Sequence, residues 1–265
     1  MATLGNKIAL GAIWMVLMRL SIRFIGLIST LILLRLLSPG DFGLVAIVMA
    51  VVATIDLIRS FGFEIALIQD QDAGRDEYDT VWTMEVLMAT LMGVIMALIA
   101  VPAARFYDEP RLTVLFLIIG AANFVHGFAN VGIVDFRKQL MFAKEFRYNV
   151  AVKVIGFVTT ISCAFVMRSY WALIIGTVVT KVAMLVLSYT MHEYRPRFSL
   201  KSLSKLFRFS KWIFLNNVGI VARMRGPDFM IGKFSGTTGL GVYAVAYEIS
   251  NLATTELIAP INRAL

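Results

Sequence analysis

The chain has 265 residues, 59% hydrophobic and only 16% charged, with a mean hydropathy of +0.79. A soluble domain is about 45–50% apolar and about 25% charged, so composition excludes a soluble globular protein and points to one whose apolar surface is covered by lipid. The net charge of +8 is spread over connectors between apolar runs, which fits control of membrane topology better than nucleic-acid binding.

A membrane-crossing helix needs about 20 residues, and the hydropathy pattern predicts eight, over 11–36, 42–62, 80–101, 112–134, 148–166, 171–189, 212–233 and 240–259. The first follows Lys7 and is too long for a signal-peptide core, so it reads as a retained span. Within it stand Arg19 and Arg23, one helical turn apart and on one face. A guanidinium at the bilayer centre costs roughly 2.5–3.5 kcal/mol, which favours a face turned to water or to an anion. The second span ends with Asp56 and Arg59, spaced to pair at i, i+3. Glu85 lies in the third span and His126 in the fourth. Lys153 sits near the cytoplasmic end of the fifth, where snorkelling explains it as well as function does. Lys181 is deeper in the sixth.

Tight turns at Ser38-Pro39-Gly40, Asp108-Glu109-Pro110 and Arg168-Ser169-Tyr170 fall on one side, and longer charged connectors on the other. The basic residues crowd the connector side, which the positive-inside rule makes cytoplasmic together with the N-terminus. Leu200, Leu203, Leu206 and Phe207 recur at helical spacing among Lys201, Lys205 and Arg208. The pattern predicts a short amphipathic helix over 199–209, suited to an anionic inner leaflet; a solvated basic loop is the alternative. Segment 195–211 thereby becomes a basic linker between a six-helix lobe, 1–194, and two further spans, 212–265. Those spans carry Arg223, Arg225 and Glu248. Arg223 and Arg225 point in nearly opposite directions on a regular helix, and Arg225 is spaced to pair with Asp228.

Trp14, Leu17, Ile22, Gly43 and Ala46 match Trp212, Leu215, Ile220, Gly241 and Ala244 without a gap. Six spans separate the two copies, which gives them the same orientation, as parallel-repeat transporters require. The expected fold is therefore an all-α integral membrane protein, a six-helix N-lobe plus the first two helices of a parallel-repeat C-lobe.

No glycine-rich phosphate loop, nucleophile elbow or paired-histidine motif occurs. His126 and His192 are far apart, and Cys163 is the single cysteine. The reading is a non-enzyme without cofactor, metal or disulfide. Arg19, Arg23, Lys181 and Arg223 are the candidates for holding an anion in a cavity. The alternative is that they snorkel or pair with acids between helices. Glu85 and Glu248 are the candidates for carrying a coupling proton or cation.

Several runs carry a family resemblance. They are Leu-Leu-Arg-Leu-Leu-Ser-Pro-Gly-Asp-Phe-Gly-Leu at 33–44, Phe-Gly-Phe-Glu-Ile-Ala-Leu-Ile-Gln at 61–69, Phe-Ser-Lys-Trp at 209–212 and Asp-Phe-Met-Ile-Gly at 228–232. The stretches 239–248 and 254–265 agree. Together they resemble the Wzx-type polysaccharide flippases of the multidrug/oligosaccharidyl-lipid/polysaccharide superfamily. The resemblance implies two lobes facing across a central cavity in the bacterial inner membrane. It also implies transfer of undecaprenyl-diphosphate-linked oligosaccharide between leaflets, with membrane lipids, a polysaccharide polymerase and chain-length regulators as partners and no nucleic acid. Family chains are longer, so it further implies a truncated chain or fragment. The rivals are a multidrug/cation antiporter of the same superfamily, which would favour acids and aromatics in its cavity, and a non-transporting scaffold of a polysaccharide assembly complex.

Overall fold

A computed structural model describes residues 4–59, 62–206 and 219, with the side chains of 4–10, 12, 39 and 54–59 outside the description. The chain divides into two compact units, Met1–Trp212 and Ile213–Leu265, and the described residues lie almost wholly in the first. They form α1 (Leu4–Leu36), α2 (Pro39–Arg59), α3 (Phe63–Gln69), α4 (Arg75–Phe106), α5 (Arg111–His126), a 3₁₀ turn at Val131–Val134, α6 (Asp135–Lys138), α7 (Phe142–Met167) and α8 (Trp171–Met191). Four helices are long and apolar enough to cross a membrane, and α5 with the bent segment after it makes a fifth; α2 contributes the shorter apolar stretch Gly40–Ala53. The protein is an all-α integral membrane protein.

Between apolar helices in lipid, close packing and polar contacts replace the hydrophobic drive, and small residues set the closest approaches here. On α7 and α8 the arrangement is reciprocal. A Cβ on Gly156 would lie 2.3 Å from the Thr180 hydroxyl, and one on Gly176 would lie 1.8 Å from that of Thr160. Each glycine therefore admits the threonine of the facing helix. A Cβ on Gly127 would likewise meet Ala89 of α4 at 2.2 Å. The main core joins Leu44 and Val48 of α2, Met92 and Met96 of α4, Leu115 and Phe116 of α5, and Ile174 of α8.

The motif at 38–41 opens α2 as a capping box. Ser38 N–H donates to Asp41 Oδ2 at 3.0 Å, and Asp41 N–H donates to Ser38 Oγ at 3.3 Å. Pro39 occupies the first helical position, where a missing N–H costs nothing. Asp41 Oδ1 also accepts the N–H of Tyr170, at 3.0 Å, tying the start of α2 to the start of α8.

Three departures from the sequence pattern bear on the sites described below. Segment 63–69 forms a helix of its own, α3, led in by Gly62 at φ 70° and burying Phe63, Ala66 and Leu67. The expected span 112–134 ends as a regular helix at His126, and the chain bends by 72° into 131–138. Apolar residues beyond the bend, Val131 and Val134, pack with Phe63, Trp82 and Leu206. Their hydropathy reflects burial in protein, which pattern alone does not separate from lipid. Finally, α7 starts at Phe142, six residues before the expected span, because a helix need not stop at the membrane boundary. Lys153 consequently stands near the middle of α7. The spans over 212–233 and 240–259, and with them the second copy of the repeat, lie outside the described residues, as do the side chains of Asp56 and Arg59.

Candidate functional site

A cavity of about 290 Å³ opens where α1, α2, α7 and α8 meet. Lys153 of α7 and Lys181 of α8 both line it, with Ser29, Thr160, Thr177 and Thr180, and Leu33, Val45 and Leu173 complete its apolar wall. No carboxylate is among the lining residues. The Lys153 ammonium nitrogen reaches toward Gly26 of α1, 4.0 Å from where a Cβ there would stand. The threonine hydroxyls spend their protons on helix carbonyls. Thr160 donates to Gly156 O at 2.7 Å, Thr177 to Leu173 O at 2.8 Å, and Thr180 to Gly176 O at 2.6 Å. The strongest attraction for an anion would come from the two ammonium groups, point charges on flexible stems.

The other polar centre lies at the end where α4 begins and α8 finishes. After Met191 the chain runs extended along the first turns of α4, turns at 201–202 and becomes helical at 203–206. Asp79, only 4% exposed, is the main anchor of this strap. Its Oδ1 accepts the Tyr194 hydroxyl at 2.6 Å and the Arg197 N–H at 2.7 Å, while Arg75 Nε stands 3.6 Å from Oδ2. The threonines one and four residues on continue the register. Ser202 N–H donates to Thr80 Oγ1 at 3.2 Å and Ser199 N–H to Thr83 Oγ1 at 2.9 Å. From the other flank Asn130 Nδ2 donates to Tyr194 O at 2.6 Å. Burial and the bond to Asp79 push the Tyr194 phenol above its ordinary value.

Asp135 anchors the second tier. It accepts the Tyr78 hydroxyl, and His192 Nε2 lies 3.3 Å from its other oxygen. The predicted amphipathic helix over 199–209 is thus extended at its start. Leu206 packs on α3 and α4, Lys205 bridges Asp70 at 2.7 Å and Glu77 at 3.1 Å, and Lys201 stands 3.5 Å from Asp76. Residues 207–209 lie outside the described set. Beside the strap is an open cavity of about 540 Å³ between the α3–α4 connector, the α6–α7 connector and Tyr194.

With this geometry in view, the family can be decided. The family model for polysaccharide biosynthesis proteins matches residues 32–265. The chain belongs to the polysaccharide biosynthesis protein family. It is similar to the succinoglycan biosynthesis transport protein ExoT of Rhizobium meliloti, 22% identical over 94% of this chain and 51% of that protein. It is 24% identical to the lipopolysaccharide biosynthesis protein WzxC of Escherichia coli, over 99% of this chain and 54% of its relative. The teichuronic acid biosynthesis protein TuaB of Bacillus subtilis is 22% identical over 78% of this chain and 44% of its own length. The chain spans about half the length of the curated relatives it matches. No solved structure matches it significantly.

In this member of the polysaccharide biosynthesis protein family, the sequence-predicted residues are dispersed. Lys181 lines the intramembrane cavity. Arg19 is exposed on α1 and Arg23 partly buried, and neither is among the residues lining that cavity. Glu85 is partly buried on α4 and lines neither cavity. Arg223 and Glu248 lie outside the described residues. Lys153, for which the sequence left snorkelling and function equally open, also lines the intramembrane cavity. Asp79, Asp135 and Asn130 were missed, and only their contacts across the chain distinguish them from ordinary connector residues. Among the described residues no cluster of three metal-ligating side chains occurs.

Proposed function

We propose that this chain is part of a bacterial inner-membrane transporter that moves a diphosphate-linked lipid oligosaccharide from the cytoplasmic to the outer leaflet. The family supports a role in polysaccharide export, and the apolar helices support a multi-pass membrane protein. The observation that carries the reading is the convergence of Lys153 and Lys181 on one cavity without a lining carboxylate. Two ammonium groups on adjacent helices suit a diphosphate, while the lipid tail remains in the bilayer. That lining disfavours cation antiport, which calls for acids. Basic residues crowd the end where α4 begins, so the N-terminus faces the cytoplasm. The six-helix lobe and a second lobe would rock about the site, with Glu85 and Glu248 as coupling candidates, Arg19, Arg23 and Arg223 as further phosphate contacts, and a polymerase and chain-length regulators downstream.

The test is export of surface glycan by the full-length protein in cells lacking it. Lys153→Gln with Lys181→Gln should leave lipid-linked saccharide on the inner leaflet at normal protein level. Lys→Arg at both positions should retain partial export. Normal export by the double glutamine variant would remove the diphosphate role from this cavity.

A further inference from the structure

The open cavity beside the strap differs chemically from the one in the membrane. Its walls are Gln71 and Gly74 before and at the start of α4, Arg75 and Tyr78 on α4, Asp135, Lys138 and Gln139 at α6, and Tyr194 on the strap. At about 540 Å³ it falls within the roughly 300–1,000 Å³ of small-molecule sites. Cations and carboxylates offset each other around it. Arg75 pairs with Asp79, and Lys138 and Asp135 of α6 both line the cavity. Both cations are also held by rings, Lys138 Nζ 5.5 Å from the centroid of Tyr78 and the Arg75 guanidinium 6.0 Å from that of Tyr194. A site so balanced has little net pull on a phosphate.

What it offers is a set of planar polar groups that donate and accept side by side. Gln139 carries a full carboxamide, exposed and with no hydrogen bond among the described residues. Gln71 spends one Nε2 proton on Ile68 O at 3.0 Å and keeps its oxygen as an acceptor. Arg75 gives one Nη2 proton to Arg195 O at 3.2 Å and retains further donors in its five-proton fork. Gln139 is followed by Leu140 at φ 58°, a left-handed conformation that a branched aliphatic residue adopts at a cost of about 1 kcal/mol. It turns the chain sharply between α6 and α7 beside the cavity.

The geometry points to this cavity as a binding site for the uncharged hexose units of a glycan at the cytoplasmic face. Sugar hydroxyls both donate and accept, so they match paired carboxamides and a guanidinium better than they match isolated charges. A sugar that presents hydroxyls to Gln71 and Gln139 gains hydrogen bonds that an analogue lacking them does not, which makes Gln71 and Gln139 determinants of which glycan is accepted. The inference rests on the export reading for the source of the sugar and on this cavity alone for the binding.

Saturation-transfer NMR on the full chain in phosphatidylcholine nanodiscs tests it, with glucose, galactose, mannose, rhamnose and N-acetylglucosamine as probes and inorganic phosphate as competitor. At least one sugar should bind, phosphate should not displace it, and Gln139→Ala should weaken it about tenfold, the scale of one lost hydrogen bond. Gln139 is exposed, so that variant should fold. Binding by none of the sugars, displacement by phosphate, or full binding by Gln71→Ala with Gln139→Ala would overturn the site. Sugar binding that depends on Gln139, beside normal export by the Lys153/Lys181 variant, would keep this site and remove only the membrane-cavity role.

Discussion

The two cavities of the first unit are built on opposite plans. The one among α1, α2, α7 and α8 places two like charges in apolar surroundings, with hydroxyl protons already committed to the backbone. The one at the strap surrounds itself with opposed charges, each held by a phenol or a backbone N–H. Like charges on one apolar wall would suit a ligand that brings its own counter-charge. A charge neutralised in place serves architecture and leaves recognition to neutral groups. Spacing along the sequence reveals the first plan and hides the second.

The largest expected effect would break the wall of the membrane cavity. Gly176→Leu drives a side chain into Thr160, where even a Cβ would stand 1.8 Å from the hydroxyl oxygen. Overpacking of this kind costs about 3 kcal/mol, and fluorescence-detected size exclusion should show little monodisperse protein. Next comes the strap. Asp79→Ala strands the Tyr194 hydroxyl, the Arg197 N–H and the Arg75 guanidinium together, at a cost of about 3 kcal/mol shared between local release and global stability. Trypsin should then cut after Arg197 much faster than in the wild type, while cleavage elsewhere is little changed. Tyr194→Phe removes one hydrogen bond to a charged acceptor, about 1.5 kcal/mol, and should fall between them in the same assay. Equal cleavage in all three proteins would show that Asp79 does not hold the strap.

The smallest effect sharpens the contrast at the surface. The hydrogen bond from Lys205 holds the Asp70 carboxyl below its ordinary range and raises the Lys205 ammonium above its own. A depressed carboxyl adds stability above its unfolded value of about 3.9 and loses it as pH falls through the folded value. The melting temperature of detergent-solubilised protein should therefore differ slightly between wild type and Lys205→Met near neutrality. The gap should close in acid, below about pH 4. A gap that persisted at low pH would assign the effect to lost packing of the lysine stem.

The sequence made the membrane class, six of the apolar helices and the turn chemistry legible, because hydropathy and the Ser38–Asp41 capping signal are local. It made the place of Lys181 within an apolar helix legible for the same reason. Lys153 was discounted because α7 was started six residues late, which moved it to a membrane boundary. The bend after His126 was invisible since Val131 and Val134 are as apolar as lipid-facing residues. The strap was read as a membrane-surface helix because Leu206 and its basic neighbours have amphipathic spacing whether the apolar face meets lipid or α3 and α4. Asp79 to Arg197 and Asn130 to Tyr194 are contacts between distant segments, and no local pattern encodes them.

The reciprocal fit of Gly156 with Thr180 and of Gly176 with Thr160 fixes one sliding register for the α7–α8 hairpin, since displacement along the axis by a single residue would set Cβ atoms against each other. Lys153 and Lys181 are therefore carried on one stiff frame, and the spacing of their backbones is fixed. Any swelling of the cavity has to come from α1 and α2 drawing back. The hairpin thus sets the separation of the two lysine backbones, and only their side-chain stems can vary the distance between the charges.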